Sequence, residues 1–148
     1  MNIKKLTDDV SVAPQAVPED LAGLAALGFR SIIANRPDGE SPGQAPFADI
    51  ARAAHKVGLD ARYLPVISSK IFDNDVSAFK ATIAALPKPI LAYCKSGTRS
   101  AALWSLAESG QRPLADILAR TKDAGFDLSG LANRIEETGA IAEPKDMG

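Results

Sequence analysis

Pro89-Ile90-Leu91-Ala92-Tyr93-Cys94-Lys95-Ser96-Gly97-Thr98-Arg99-Ser100 is the stretch from which the architecture can be worked out, and it contains the chain's single cysteine. The apolar run 89–93 predicts a short buried strand, and the spacing of apolar side chains over 100–109 predicts a helix. The loop between them therefore opens onto a helix N-terminus. Unpaired N–H groups and the helix dipole favour an anion there.

Three residues of this loop suit phosphate chemistry. Gly97 permits a left-handed backbone that turns successive N–H groups toward one point. The guanidinium of Arg99 can bind two oxygens of a tetrahedral anion at once. These positive groups favour the thiolate form of Cys94, and a thiolate beside a bound phosphate can accept the phosphoryl group.

Helical and strand patterns alternate along the rest of the chain. Strands are predicted at 29–35, 62–66 and 89–93, with 10–13 as an additional edge strand, and helices at 18–27, 46–57, 75–86, 100–109, 113–124 and 128–138. Such alternation is typical of an α/β fold with a mostly parallel sheet of four to five strands flanked by helices. We expect a single domain over 1–148, with 139–148 as a flexible tail.

Composition narrows the function classes. The 148 residues are 46% hydrophobic and 24% charged, which fits one soluble domain. A net charge of −1 without a cluster of basic residues argues against nucleic acid, and no run approaches the roughly 18 apolar residues of a membrane span. A lone cysteine and no signal-peptide pattern suggest the cytoplasm. His55, the only histidine, lacks metal-ligand spacing around it, so no metal or cofactor is expected. Oligomeric state stays open.

The segment Cys94–Arg99 with Ser100 resembles the Cys-x5-Arg-Ser signature of the cysteine-dependent protein-tyrosine-phosphatase superfamily, and the chain looks like its small dual-specificity branch. More narrowly, the segments 11–15 (Ser-Val-Ala-Pro-Gln), 35–40 (Asn-Arg-Pro-Asp-Gly-Glu) and 93–100 are similar to the bacterial family described as beta-lactamase hydrolase-like protein, phosphatase-like domain. The resemblance runs from about Thr7 to about Gly110.

The resemblance implies specific roles. Cys94 would form a phosphocysteine, and Arg99 would bind phosphate and stabilise the transition state. The segment Lys95, Ser96, Gly97 and Thr98 would bind the phosphate mainly through backbone N–H groups. Ser100 would donate a hydrogen bond to the Cys94 sulfur. The partner would be a phosphorylated substrate, in particular an aryl phosphate such as phosphotyrosine.

The chain departs from the superfamily pattern at two places. Tyr93 stands before the nucleophile where a histidine is usual, and no carboxylate follows the predicted strand 62–66 at the place of the usual general acid. Three aspartates are candidates for that acid: Asp38 in the loop after an early strand, and Asp73 and Asp75 farther along. Asp73 and Asp75 also precede a helical pattern, where acidic residues serve as caps.

Two alternatives to a phosphatase remain open on the sequence. A rhodanese-like sulfurtransferase would carry a persulfide on Cys94 in a similar anion-binding loop. A phosphate-binding module without catalysis would be consistent with a missing general acid. Sulfur loading from thiosulfate distinguishes the first alternative, and phosphopeptide binding without turnover distinguishes the second.

Overall fold

A five-stranded sheet lies at the centre of the structure, a computed structural model that describes residues 1–142. The strands are β1 (Lys4–Lys5), β2 (Val10–Ala13), β3 (Ser31–Ala34), β4 (Asp60–Tyr63) and β5 (Ile90–Tyr93). Their order across the sheet is β1-β2-β5-β3-β4. All neighbouring pairs are parallel except β1 with β2. The predicted α/β fold with a mostly parallel sheet is therefore confirmed.

Within residues 1–142, six α-helices and two short 3-10 helices connect and cover the strands. The α-helices are α1 (Leu21–Ala26), α2 (Phe47–Lys56), α3 (Asp73–Ala85), α4 (Thr98–Ala107), α5 (Leu114–Asp123) and α6 (Ala132–Ala142). The 3-10 helices span Pro18–Asp20 and Ser129–Leu131. In the described range 1–142, no helix combines the length and the apolar character that a membrane crossing requires.

The two faces of the sheet pack against different helices, because alternate strand residues point to opposite sides. Ile32 and Leu91 belong to one apolar cluster with residues of α1 and α2. Ile33 and Ala92 belong to the other, with residues of α3 to α6. Within this second layer α4 is covered along nearly its whole length, since every residue from Arg99 to Ala107 is buried. The helix that follows the cysteine loop is thus held rigidly.

Some predicted bounds differ from the observed ones. The segment 10–13 is not an edge strand, since Lys4 and Lys5 pair on its outer side. The strand predicted at 62–66 lies at 60–63, because Asp60 pairs with Ser31 and Pro65 has no N–H to extend the ladder.

The last helix also differs from the prediction. It extends to residue 142 instead of ending at 138, so the first four residues of the expected tail are helical. Residues 143–148 of that tail lie outside the described range.

Candidate active site

Cys94 lies at the carboxyl end of the central strand of the sheet. Its N–H donates to the carbonyl of Ala13, at the end of β2, over 3.3 Å. On the other side, the N–H of Asn35, after β3, donates to the carbonyl of Tyr93 over 2.8 Å. Cys94 itself is 1% exposed. Three parallel strands thus end around this thiol, at the edge of the sheet where open α/β folds bind ligands.

Gly97 closes the loop onto the sulfur. Its φ of 94° lies in the left-handed region, and it caps the N-terminus of α4. From this position its N–H donates to Cys94 Sγ over 3.1 Å. The loop thus points a backbone donor at the sulfur, beside the first turn of a helix whose N–H groups favour an anion. The Oγ of Ser96 and the Oγ1 of Thr98 lie 3.1 Å apart in the same loop.

Arg99 presents two different edges of its guanidinium. The Nη1–Nη2 edge is fully engaged: Nη1 donates to Glu40 Oε2 and to the carbonyl of Val66, each over 3.0 Å, and Nη2 donates to Glu40 Oε1 over 3.3 Å. The residue is only 9% exposed, yet Nε has no partner. No other buried side-chain nitrogen or oxygen in the described chain lacks one. The Nε edge is therefore available to bind two oxygens of an anion.

Ser100 contacts a residue that the sequence did not suggest. In place of the expected bond to the Cys94 sulfur, its Oγ donates to Asn35 Oδ1 over 2.8 Å. The amide of Asn35 is oriented by its own Nδ2, which donates to the carbonyl of Leu64 over 3.0 Å. Since the Ser100 hydroxyl is fully buried and has one proton, that proton is used by Asn35.

Asp38 caps a helix. Its Oδ1 accepts the N–H of Phe47, the first residue of α2, over 2.9 Å, and its own N–H donates to the Tyr63 hydroxyl over 3.0 Å. The carboxylate thus binds one of the unpaired N–H groups at the helix N-terminus. This arrangement accounts for an acidic residue at position 38 without a catalytic role.

Asp73 and Asp75 lie in the first turn of α3. The helix is capped at Phe72 and not at Asp73, because Asp75 Oδ2 reaches back to accept the Phe72 N–H over 2.8 Å. Asp73 is 82% exposed and lies 3.5 Å from Arg134 Nη2. The capping interpretation therefore has direct hydrogen-bond support for Asp75 and is wrong for Asp73, which lies one residue past the cap. Neither carboxylate makes a hydrogen bond or an ion pair with Cys94 or Arg99.

Two residues of the loop after β3, Glu40 and Arg36, complete the site. Glu40 accepts from both Arg99 and Arg36, whose Nε lies 2.9 Å from Oε1. Burial raises the pKa of Glu40, but the hydrogen bonds and charges of the two arginines outweigh it and hold that pKa below its usual value of 4.5. The carboxylate is therefore ionised at neutral pH.

Tyr93 is a neutral phenol inside the apolar layer of α1 and α2. Burial, with the charge of Asp38, raises the pKa of Tyr93 well above its usual value of 10, against an opposing hydrogen bond from Gln15. Tyr93 thus supports the base of the loop by packing, and it contributes no charge to the sulfur.

In the described range, no group of three or more His, Cys, Asp and Glu side chains is arranged to hold a metal ion.

Comparison with known proteins gives consistent results. The family described as "Beta-lactamase hydrolase-like protein, phosphatase-like domain" matches residues 2–111. The chain is 35% identical to a beta-lactamase hydrolase-like protein of Agrobacterium fabrum over 142 residues, which are 95% of this chain and 33% of that protein. The chain therefore spans about a third of the length of the curated relatives that it matches.

Solved structures show the same fold. A Neisseria meningitidis protein described as a "putative phosphatase" is 33% identical and superposes with a TM-score of 0.83, covering 93% of this chain and 99% of that one. The active form of the protein Tk-PTP superposes with a TM-score of 0.74 at 14% identity, over 96% of this chain and 98% of that one. At that identity the second match demonstrates a shared fold alone.

Proposed function

Because the chain belongs to the family of the beta-lactamase hydrolase-like protein, phosphatase-like domain, we propose that it is a metal-independent phosphatase that hydrolyses phosphate monoesters through a phosphocysteine at Cys94. The observation that carries this proposal is the unpartnered, buried Nε of Arg99, five residues after a thiol that already accepts a loop N–H. A guanidinium edge and a sulfur nucleophile on one short loop are the two groups that this chemistry requires.

The reaction would proceed in two steps. In the first, the Cys94 thiolate attacks phosphorus, an S–P bond forms, and the bond from phosphorus to the leaving oxygen breaks with the electron pair on that oxygen. The Arg99 Nε–H and the adjacent Nη2–H would bind two of the remaining oxygens as they gain charge. In the second, water attacks phosphorus, the S–P bond breaks, and the thiolate and inorganic phosphate are released.

The charges of the site suit a dianion. Arg99 and Arg36 contribute two positive charges, Glu40 contributes one negative charge, and the N-terminus of α4 adds positive potential. The thiolate and the guanidinium supply the nucleophile and the charge stabilisation, so the proposed reaction needs neither metal nor cofactor. A catalytic thiol acts in its reduced form, and we therefore propose the cytoplasm as the compartment.

We propose aryl phosphates, including phosphotyrosine, as the substrate class. Asp38 and Asp75 are engaged as helix caps, and Asp73 is an exposed residue near Arg134. A leaving group that departs as a stable anion needs little help from an acid, and a phenolate is far more stable than an alkoxide. Phenolic esters thus fit the site better than alkyl esters.

The test is phosphate release from a phosphotyrosine peptide and from p-nitrophenyl phosphate, with reductant and EDTA present. We expect wild-type turnover, none for Cys94→Ser, and a loss of about a hundredfold or more for Arg99→Lys, which cannot offer a bidentate edge. Arg112→Lys, far from the loop, is the matched control. Full activity of Cys94→Ser would rule out the phosphocysteine, and sulfur loading from thiosulfate without phosphatase activity would favour a sulfurtransferase.

A further inference from the structure

We infer that Glu40 and Arg36 are positioning residues that fix the Arg99 guanidinium and balance its charge, leaving its Nε edge for the substrate. The inference rests on the proposed function, because it concerns the group that would bind the phosphate. It assigns a role to two loop residues that do not themselves touch the reacting atoms.

Glu40 holds Arg99 by one edge only. Its two carboxylate oxygens bind Nη1 and Nη2, and the Val66 carbonyl from the loop after β4 binds Nη1 as well. The guanidinium is thus tied to two separate loops before any substrate arrives. Arginine side chains lose rotamer freedom on binding, so a guanidinium that is already fixed binds an anion more tightly.

The carboxylate does not compete with a bound phosphate for the same donors. A phosphate that used Nε and Nη2 would lie on a different edge from the one that Glu40 occupies, since each Nη carries two hydrogens. The bidentate contact of Glu40 therefore supports substrate binding at the Nε edge instead of blocking it.

Arg36 compensates the charge of Glu40. A lone carboxylate beside Arg99 would cancel the positive charge that attracts a dianion, but the pair of arginines leaves a net charge of one positive unit on the three side chains. Arg36 is 6% exposed and is itself held by Gln15 Oε1, over 3.1 Å, and by Ser41 Oγ, over 2.9 Å. The backbone N–H of Gln15 donates to the Lys95 carbonyl in the cysteine loop, so this anchoring extends to the loop.

A double-mutant cycle tests the inference. We expect Arg36→Gln to raise the dissociation constant of inorganic phosphate about tenfold or more, because Glu40 then faces Arg99 uncompensated. Glu40→Gln should lower kcat about tenfold through loss of the fixed geometry. The phosphate dissociation constant should not rise comparably, because removing the negative charge of Glu40 offsets the looser hold on the guanidinium. The double variant should recover part of the phosphate affinity that Arg36→Gln loses, since the uncompensated charge is gone.

The matched control is the pair Glu108 and Arg112, which has the same four-residue spacing and a similar contact of 2.6 Å. It lies at the C-terminal end of α4, about 15 Å along the helix from the loop. Glu108→Gln and Arg112→Gln should leave phosphate affinity and kcat within about twofold of wild type. Calorimetry with inorganic phosphate gives the dissociation constants, and unfolding in urea identifies any variant that fails to fold.

The outcomes separate this inference from the proposed function. If the wild type turns over substrate but Arg36→Gln binds phosphate normally, or if the double variant binds as weakly as Arg36→Gln, the charge-balancing role is refuted. A purely structural pair would alter unfolding alone and would show no recovery of affinity in the double variant. If the wild type neither binds phosphate nor turns over substrate, both proposals fail.

Discussion

Replacing Gly97 by alanine should damage both stability and the site. At a φ of 94° an L residue is strained, which costs about 1–2 kcal/mol. The added Cβ would lie 3.1 Å from Phe126 Cζ and 3.4 Å from Phe126 Cε1, and 3.5 Å from the carbonyl carbon of Ala13. Displacing the partly buried ring costs about 1 kcal/mol more. We therefore expect a total loss of about 2–3 kcal/mol.

The same change should weaken phosphate binding, because the N–H that donates to Cys94 Sγ belongs to Gly97 itself. Any backbone shift that relieves the contact with Phe126 moves this donor. Unfolding in urea and competitive inhibition by inorganic phosphate measure the two effects separately.

Gly125→Ala is the matched control for the strain alone. Gly125 has a φ of 101°, and a Cβ there would meet no atom within 4 Å. A second control, Phe126→Leu combined with Gly97→Ala, should recover the steric part of the loss and leave the strain. The reasoning is refuted if Gly97→Ala costs no more stability than Gly125→Ala, or if it binds phosphate like the wild type.

Three further predictions concern single residues of the site. Ser100→Ala should lower stability by about 1–2 kcal/mol by leaving Asn35 Oδ1 without its donor, while the rate of Cys94 alkylation by iodoacetamide stays unchanged; a large fall in that rate would instead indicate a Ser100–Cys94 bond. Asp38→Ala should lower the melting temperature through loss of the α2 cap, and the ratio of its rates on aryl and alkyl phosphates should equal that of the wild type. A selective loss of activity on alkyl esters would instead make Asp38 the general acid. Because the pKa of Glu40 is lowered on folding, its stabilising contribution is complete well above pH 4.5 and is lost as pH falls below that value. The stability difference between wild type and Glu40→Gln, followed by urea unfolding, should shrink there, and a difference independent of pH would contradict the ion pairs.

The cysteine loop could be predicted because its determinants are local. An apolar run, a glycine and a helical pattern lie within about twenty residues, and each acts on its immediate neighbours. The structure accordingly places Cys94 at the end of β5 and Gly97 at the start of α4. The parallel sheet could be predicted as well, because each strand and helix pattern in the alternation is also determined locally.

The partners of the site could not be predicted, because they are distant in sequence. The residue pairs Ser100–Asn35 and Arg99–Glu40 are separated by 65 and 59 positions. By composition, residues 35–39 are typical of an ordinary turn, and a turn pattern does not reveal what its side chains contact. A signal was available in retrospect, since Arg36 and Glu40, a basic and an acidic residue four positions apart, lie in the loop that follows β3 at the same edge of the sheet as the thiol.

The central claim, that Cys94 accepts the phosphoryl group, is tested most directly by trapping the intermediate. Wild-type protein would be mixed rapidly with p-nitrophenyl phosphate, quenched in acid within one turnover and digested for mass spectrometry, with Cys94→Ser treated in parallel. We expect one phosphoryl group on the peptide that contains Cys94, formed as fast as p-nitrophenolate is released, and none on the variant. Release of p-nitrophenolate by the wild type without any phosphocysteine, or equal release by Cys94→Ser, would contradict the account.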